Sequence, residues 1–451
     1  MSAMPLVPAV LLLLSVIVIF GATQWLRLQP FLAILVVAAA FGGAAGFSIS
    51  FIGKTFGNGF SQALYSPGLV IVAAAFVTGL ADGVGANESL AAAAARWRSG
   101  RSAAMIAAPI GLIAGLAASP ASAFALLTPL LRIFPGRRRA AIAAALGISA
   151  GHGLLLMTPV QIVAASILEA RWLNVVLFGV PVAVLAAAAG AGWSRLVVTA
   201  DKPAPTHDAA TPPPAIAKRT AASAAIVVAT AVAPLLLLML QSIGDLPSEP
   251  LGGGPSRELV IGLGRPLILF LLVLVIATVG FLPGSVRLLA SAAWNRKVLG
   301  NVAGILLAVG AAGGLQRLCQ ETGMAELLAE QLMQWHVAGP GALLAAFLVA
   351  ALVKTLQGSS LVAAITAAGI VQPALPAIGA ADEPARALMA LAIGAGAMTF
   401  AHVNDEYFWL VADTAGLRPL RGFAAIGLGT LLQGIIAVAA LLALSFFLHR
   451  L

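Results

Sequence analysis

The sequence predicts an all-α polytopic membrane protein of about 12 transmembrane segments, and three observations predict it. Mean hydropathy is +1.03. Of 451 residues, 61% are hydrophobic and only 9% are charged, far from the balance of a water-soluble domain. The apolar runs are continuous instead of alternating, which suits helices and not the strands of a membrane barrel.

A helix needs about 20 mostly apolar residues to cross the hydrocarbon layer. Runs at 6–22, 30–50, 67–81, 102–118, 140–157, 172–192, 222–241, 266–282, 298–312, 341–356, 386–401 and 423–447 are the candidates, several of them short. The run at 6–22 has no basic stretch before it and no convincing small-residue cleavage site after it, so it is expected to be a first helix and not a leader.

The stretch 196–222, with five prolines and mixed charge, reads as a flexible cytoplasmic linker between residues 1–195 and 223–451. The two sides of that linker share markers. Residues 80–97 align without gaps to 318–335, matching Gly85 to Gly323, Glu88 to Glu326 and Trp97 to Trp335. Farther on, 140–159 runs parallel to 385–409, and His152 falls opposite His402. An internal duplication is the expectation.

Each half also carries a polar interruption. Residues 117–136 open with Ser119 and Ser122, and residues 355–379 with Ser359 and Ser360; each continues as a short apolar run and closes on Pro and Gly. Paired short, Gly/Pro-interrupted segments point to the central site of a transporter. They are expected to be re-entrant hairpins, two kinked spanning helices being the alternative.

The net charge of +9 and pI near 10.8 do not imply nucleic acid, because Arg and Lys cluster in short loops as membrane topology requires. Arg137–Arg139, Lys218 with Arg219, and 287–297 suit the cytoplasmic side; Arg96, Arg98 and Arg101 conflict with that assignment. The single cysteine, Cys319, excludes an intramolecular disulfide. The five histidines are scattered and no Walker loop is present, so neither a metal site nor nucleotide hydrolysis is expected, and no cofactor.

Among 16 acidic residues, Glu169, Asp405, Glu406 and Asp413 lie near apolar segments, with Asp82 and Glu321 at the ends of short spans. An ionisable group there is a functional-site hypothesis, since inserting it costs roughly 2.5–3.5 kcal/mol. Asp405 follows Asn404 where the helix ending near residue 401 has no clean continuation, and a broken helix there would expose free amides and carbonyls. A helix cap is the alternative role. His402 is either a packing residue or a proton relay. An intramembrane hydrolase built on Ser359 or Ser360 with His402 fits poorly with a global duplication, and a channel has no need of paired broken hairpins.

The stretch "HVNDEYFWLVADTAGL" resembles the gluconate permease family of bacterial proton symporters, whose second half carries S-H-V-N-D-S-G-F-W. "AAGGLQRLCQETGMAELLA" and "GSSLVAAITAAGIVQP" are similar to further family segments, as is a region around Gly57 and Asn58. The resemblance implies the ion-transporter fold: two inverted repeats, each with a re-entrant hairpin and a broken helix, and elevator movement. It implies proton-coupled uptake of gluconate or a related small hydroxy acid across the bacterial inner membrane, with a cation/proton antiporter or inorganic-anion carrier as the alternative.

Carried over by motif, substrate-binding residues would be Asn58, His152, Gly358, Ser359, Ser360, Thr366, His402 and Asn404, to which the break in the first half adds Thr158; Asp405, also matched by the motif, would couple protons, and Glu406, absent from the family pattern, is the second candidate for that role. Implied partners are a small anionic molecule, protons or sodium, the lipid bilayer and further copies of the chain in a homo-oligomer. Ala401 replaces a serine of the family pattern, and Glu406 and Tyr407 replace its Ser-Gly; these two bulky polar residues argue for a ligand other than gluconate itself, within a range of sugar acids, glycerate-like acids and D-serine-like amino acids.

Overall fold

The computed structural model describes residues 6–65, 67–84, 103–117, 119–131, 134, 136–156, 158–198, 214–244, 249, 252–323, 340–376, 380 and 382–448. Among them there are helices and turns and no strand. Most of the 80–97 and 318–335 markers lie outside the described residues, as do Arg96, Arg98 and Arg101 and most of the linker. A helix beginning at Pro214 occupies the end of the stretch read as linker.

An outer group of helices comes from both halves: α1 (Leu6–Gln24), α2 (Pro30–Ala44), α3 (Ile49–Tyr65) and α4 (Pro67–Gly83). It continues, after the first inner set, with α10 (Pro214–Gly244), α11 (Pro255–Leu263), α12 (Pro266–Gly280), α13 (Gly284–Leu289) and α14 (Ala292–Gln320). The first inner set is α5 (Ala103–Ala114), α6 (Pro120–Leu131), α7 (Arg137–Leu154), α8 (Pro159–Ile167) and α9 (Trp172–Val197). The second is α15 (Pro340–Gln357), α16 (Ser360–Val371), α17 (Glu383–Ala397), α18 (Glu406–Thr414) and α19 (Leu428–Leu448).

The inner sets follow one order: helix, short serine-bearing tip, short helix, a long helix that breaks, a short continuation, and a long closing helix. Their packing corresponds as well. α5 lies on α7 as α15 lies on α17, while α16 crosses to α8 and α6 to α18. The tips stand at the start of the stretches 117–136 and 355–379, directly after α5 and α15.

Among the described residues, five helices are long and apolar enough to cross a membrane, or up to seven if each bent pair is one span. Shorter apolar helices of 10–17 residues accompany them, including α5, α6 and α16. With lipid outside as apolar as leucine, close backbone packing has to hold such helices together. Alanine and glycine permit it. A Cβ at Gly111 would run into the carbonyl of Ala144, and one at Gly147 into that of Ala108, so α5 and α7 touch backbone to backbone.

Buried polar side chains then stitch one half to the other. The Gln161 amide of α8 donates to Gly153 O and, at 3.3 Å, to Ala390 O of α17. The Gln433 amide of α19 donates to Leu146 O of α7 and Ala186 O of α9, both at 2.9 Å.

Candidate functional site

Both tips use the same local chemistry. A helix start leaves backbone N–H groups without partners, and a serine in extended conformation can accept from the residue three positions on. The Ser119 hydroxyl accepts from Ser122 N at 3.2 Å and opens α6; the Ser359 hydroxyl accepts from Val362 N at 3.3 Å and opens α16. Gly358 precedes Ser359 with φ of +79°, and a Cβ there would strike the Asn404 carbonyl. This glycine lets the second tip lie directly on the second helix break.

The breaks share a plan and differ in chemistry. In the first, Thr158 caps α8, and its hydroxyl donates within hydrogen-bond range of His152 O (2.8 Å) and Leu155 O (2.9 Å). In the second, residues 398–405 cross from α17 to α18, with Phe400 in the left-handed region at φ of +55°. His402 Nε2 lies 2.7 Å from Thr355 O, so that nitrogen carries the proton and donates, and Asn404 Nδ2 donates to the same carbonyl at 3.1 Å. Trp409 Nε1 donates to Val403 O at 2.8 Å. The break is thereby fastened to the last turn of α15.

Asp405 caps α18, its Oδ1 accepting from Tyr407 N at 2.9 Å. Its other oxygen, Oδ2, meets Lys354 Nζ at 2.6 Å, the two side chains being 8% and 4% exposed. Lys354 also donates to the carbonyl of Gly358. Taking a carboxylate and an ammonium out of water costs several kcal/mol per ion, and close pairing with further hydrogen bonds offsets it. Removing either partner alone would strand the other.

These elements enclose a cavity of about 190 Å³. Ser119 and Pro120 of the first tip and Gly358, Ser359 and Ser360 of the second line it, with His152 of α7, Lys354, Asp405, Glu406, Tyr407 and Gln316 of α14. Glu406 is half-buried. Tyr407 donates its hydroxyl to Ala145 O at 2.9 Å and packs edge-on against Phe124 of α6. A neighbouring cavity of about 220 Å³ shares Gln316, Ser359, Leu361 and Glu406 and reaches Gln62 of α3 and Arg317 of α14.

The residues singled out by sequence therefore divide. His152, Gly358, Ser359, Ser360, Asp405 and Glu406 line the cavity. Thr158, His402 and Asn404 are buried and not among its lining residues; the Thr158 hydroxyl, His402 Nε2 and Asn404 Nδ2 donate to backbone carbonyls at the breaks. Asn58 lies on an exposed position of α3, and Thr366 lies half-buried along α16 beyond the tip; neither is among the lining residues.

Of the other acids, Glu169 pairs with Arg386 at 2.8 Å and Glu321 with Arg317 at 2.8 Å. Asp82 and Asp413 border a separate cavity of about 150 Å³ with Arg137.

Lys354 is the residue that sequence reasoning passed over. It closes an apolar run taken as a span, where one cation near the end reads as an interfacial anchor. A cation inside an apolar segment is a functional signal in its own right, and a survey of basic as well as acidic residues would have found it.

The model of the GntP family of permeases matches residues 6–447. The chain belongs to the GntP family. A gluconate permease of Pseudomonas aeruginosa is 26% identical over 428 residues, covering 89% of this chain and 90% of that protein. A gluconate permease of Zymomonas mobilis is 25% identical over 423 residues, covering 90% and 91%. A D-serine transporter of Escherichia coli, DsdX, is 33% identical over 149 residues, about a third of each chain. The family is one of permeases, and the protein is a multi-pass membrane transporter.

Proposed function

We propose that this GntP-family permease takes up a small organic acid, gluconate or a related hydroxy or amino acid, by proton-coupled symport across the bacterial inner membrane. Relatives named for gluconate and for D-serine support the substrate class. The observation that carries the reading is the cavity between the two serine tips and the two helix breaks. At about 190 Å³ it is smaller than the roughly 300–1,000 Å³ of sites for drug-sized ligands and suits a small acid.

Its donors suit an anion. The starts of α6 and α16 bring positive helix ends to the cavity beside the Ser119 and Ser359 hydroxyls. Asp405 repels a carboxylate when ionised and ceases to when protonated, which links substrate binding to a proton. The shared order of elements in the two inner sets supports a pair of inverted repeats, each with a re-entrant hairpin and a broken helix. The inner sets would move together past the outer helices in an elevator motion, with 196–222 as a passive cytoplasmic tether.

The test is uptake of radiolabelled gluconate, glycerate and D-serine into proteoliposomes with an acidic exterior. At least one acid should accumulate above equilibration, and a protonophore should abolish the excess. If no acid accumulates, or if sodium alone drives proton efflux, symport is wrong and a cation/proton antiporter takes its place.

A further inference from the structure

We propose that Lys354 is the receptor for the substrate's carboxylate, and that Asp405 withholds it until a proton arrives. This rests on the symport reading above.

Among the described residues lining the cavity, Lys354 is the only lysine or arginine. Arg317, at the edge of the neighbouring cavity, is paired to Glu321 at 2.8 Å. An anion leaving water for a buried site needs a charged donor, so the choice falls on Lys354. Its ammonium is engaged in the structure: of three N–H donors, one reaches Asp405 Oδ2 at 2.6 Å and one the Gly358 carbonyl. A carboxylate entering then meets a cation already neutralised, with Asp405 and Glu406 adding negative charge nearby.

Protonation of Asp405 reverses this. The proton goes to Oδ2, because Oδ1 is held by Tyr407 N at 2.9 Å and keeps the side chain in place in both states. The Asp405–Lys354 attraction becomes that of a neutral acid and a cation. Lys354 is released toward the substrate, and the new O–H can donate to the same carboxylate. The ion pair with Asp405 is exchanged for one with the substrate, so Lys354 keeps a partner throughout. Because Lys354 also holds the carbonyl of Gly358, the exchange acts on the second tip directly.

Other titratable groups face this pair. Glu406, Tyr407 and His402 come from the break and α18, and His152 from α7. The described parts of α6, α16 and α19 carry none; on α14 the nearest charged group is the paired Arg317, and the charges of α17 lie at its far end, Glu383 and Arg386. A pH effect on binding therefore has to be assigned by substitution at Asp405.

The experiment measures equilibrium binding of gluconate and D-serine to the purified full chain in detergent between pH 5.5 and 8.5. Wild-type affinity should weaken as pH rises, approaching about tenfold per pH unit, the limit for one linked proton. Asp405→Asn should bind with little pH dependence and discriminate strongly against gluconamide, the neutral counterpart of gluconate. Adding Lys354→Gln to Asp405→Asn removes both charges and leaves no stranded ion, so this double variant is expected to fold. It should bind gluconate about ten- to a hundredfold more weakly than Asp405→Asn alone, the range for a hydrogen bond to a charged group.

Equal binding by the single and double variants would overturn the assignment, leaving Lys354 a helix cap. Equal affinity of Asp405→Asn for gluconate and gluconamide would do so without any second substitution. If the wild type binds neither acid and no other organic acid, the symport reading itself fails, an outcome distinct from binding that survives loss of both charges.

Discussion

The two helix breaks occupy corresponding places and differ in what caps them. At the first, a neutral threonine spends its hydroxyl on backbone carbonyls, and a glutamine amide ties the junction to the other half. At the second, the cap is an aspartate bonded to a buried lysine 51 residues away. The second break thus carries a buried ion pair where the first carries a neutral cap, and of the first half only His152 adds an ionisable group to the described lining. The first break is held by neutral hydrogen bonds and the second by a buried charge pair as well. Substitutions at the first should alter stability without touching coupling, and those at the second should alter coupling first.

The largest effect should come from Asp405→Asn. Asparagine caps a helix as well as aspartate does, so a mere capping role predicts wild-type behaviour. A proton-carrying role predicts that exchange of labelled for unlabelled substrate persists while accumulation driven by a pH gradient collapses to equilibration. The empty variant should also melt lower, since breaking one side of a buried pair costs about 3–5 kcal/mol. Wild-type accumulation in this variant would move the proton to Glu406, the other carboxylate of the cavity.

Next comes Gly358→Ala. A non-glycine residue at φ of +79° carries about 1–3 kcal/mol of backbone strain, and the added Cβ meets the Asn404 carbonyl. Both a lower melting temperature and a weaker substrate affinity are expected, because the tip must withdraw from the break. An unchanged melting curve would show that the tip does not rest on the break in the membrane.

How far these features could be read beforehand differs between the halves. The apolar runs, the serine tips and the aspartate are local signals, each announced by residues adjacent in sequence. The pairing of Asp405 with Lys354 is not local, because nothing near residue 354 points to residue 405. Thr158, His402 and Asn404 are expected from sequence to bind substrate, and the structure places them at the breaks and not among the residues lining the cavity. Their donors are spent on backbone carbonyls, a need that only the path of the broken helices creates. Asn58 was chosen by motif alone, and no neighbouring signal shows on which face of α3 it lies.

At the first break, Gln161→Leu is the sharper probe. It removes donors to Gly153 O and Ala390 O, and a buried acceptor left unsatisfied costs about 1–3 kcal/mol. The melting temperature should fall while the pH dependence of uptake keeps its wild-type midpoint. A displaced midpoint would mean that the neutral break takes part in coupling, and the contrast between the halves would fail.

The smallest effects should come from the tips, compared as a pair. Ser119→Ala and Ser359→Ala each remove a cap of the same geometry, 3.2 and 3.3 Å to the third amide on, so each should cost about 1 kcal/mol of stability. If the two halves contribute equally to the site, uptake should also fall equally. The surroundings predict otherwise. Ser359 follows the glycine whose carbonyl Lys354 holds, and it borders both the central cavity and the neighbouring one, whereas Ser119 borders the central cavity alone. Loosening the second tip also loosens the lysine. Matched melting curves with a larger rise in KM for Ser359→Ala would place the difference in the site and not in the fold. Equal KM values would show that the asymmetry ends at the ion pair and does not extend to the tips.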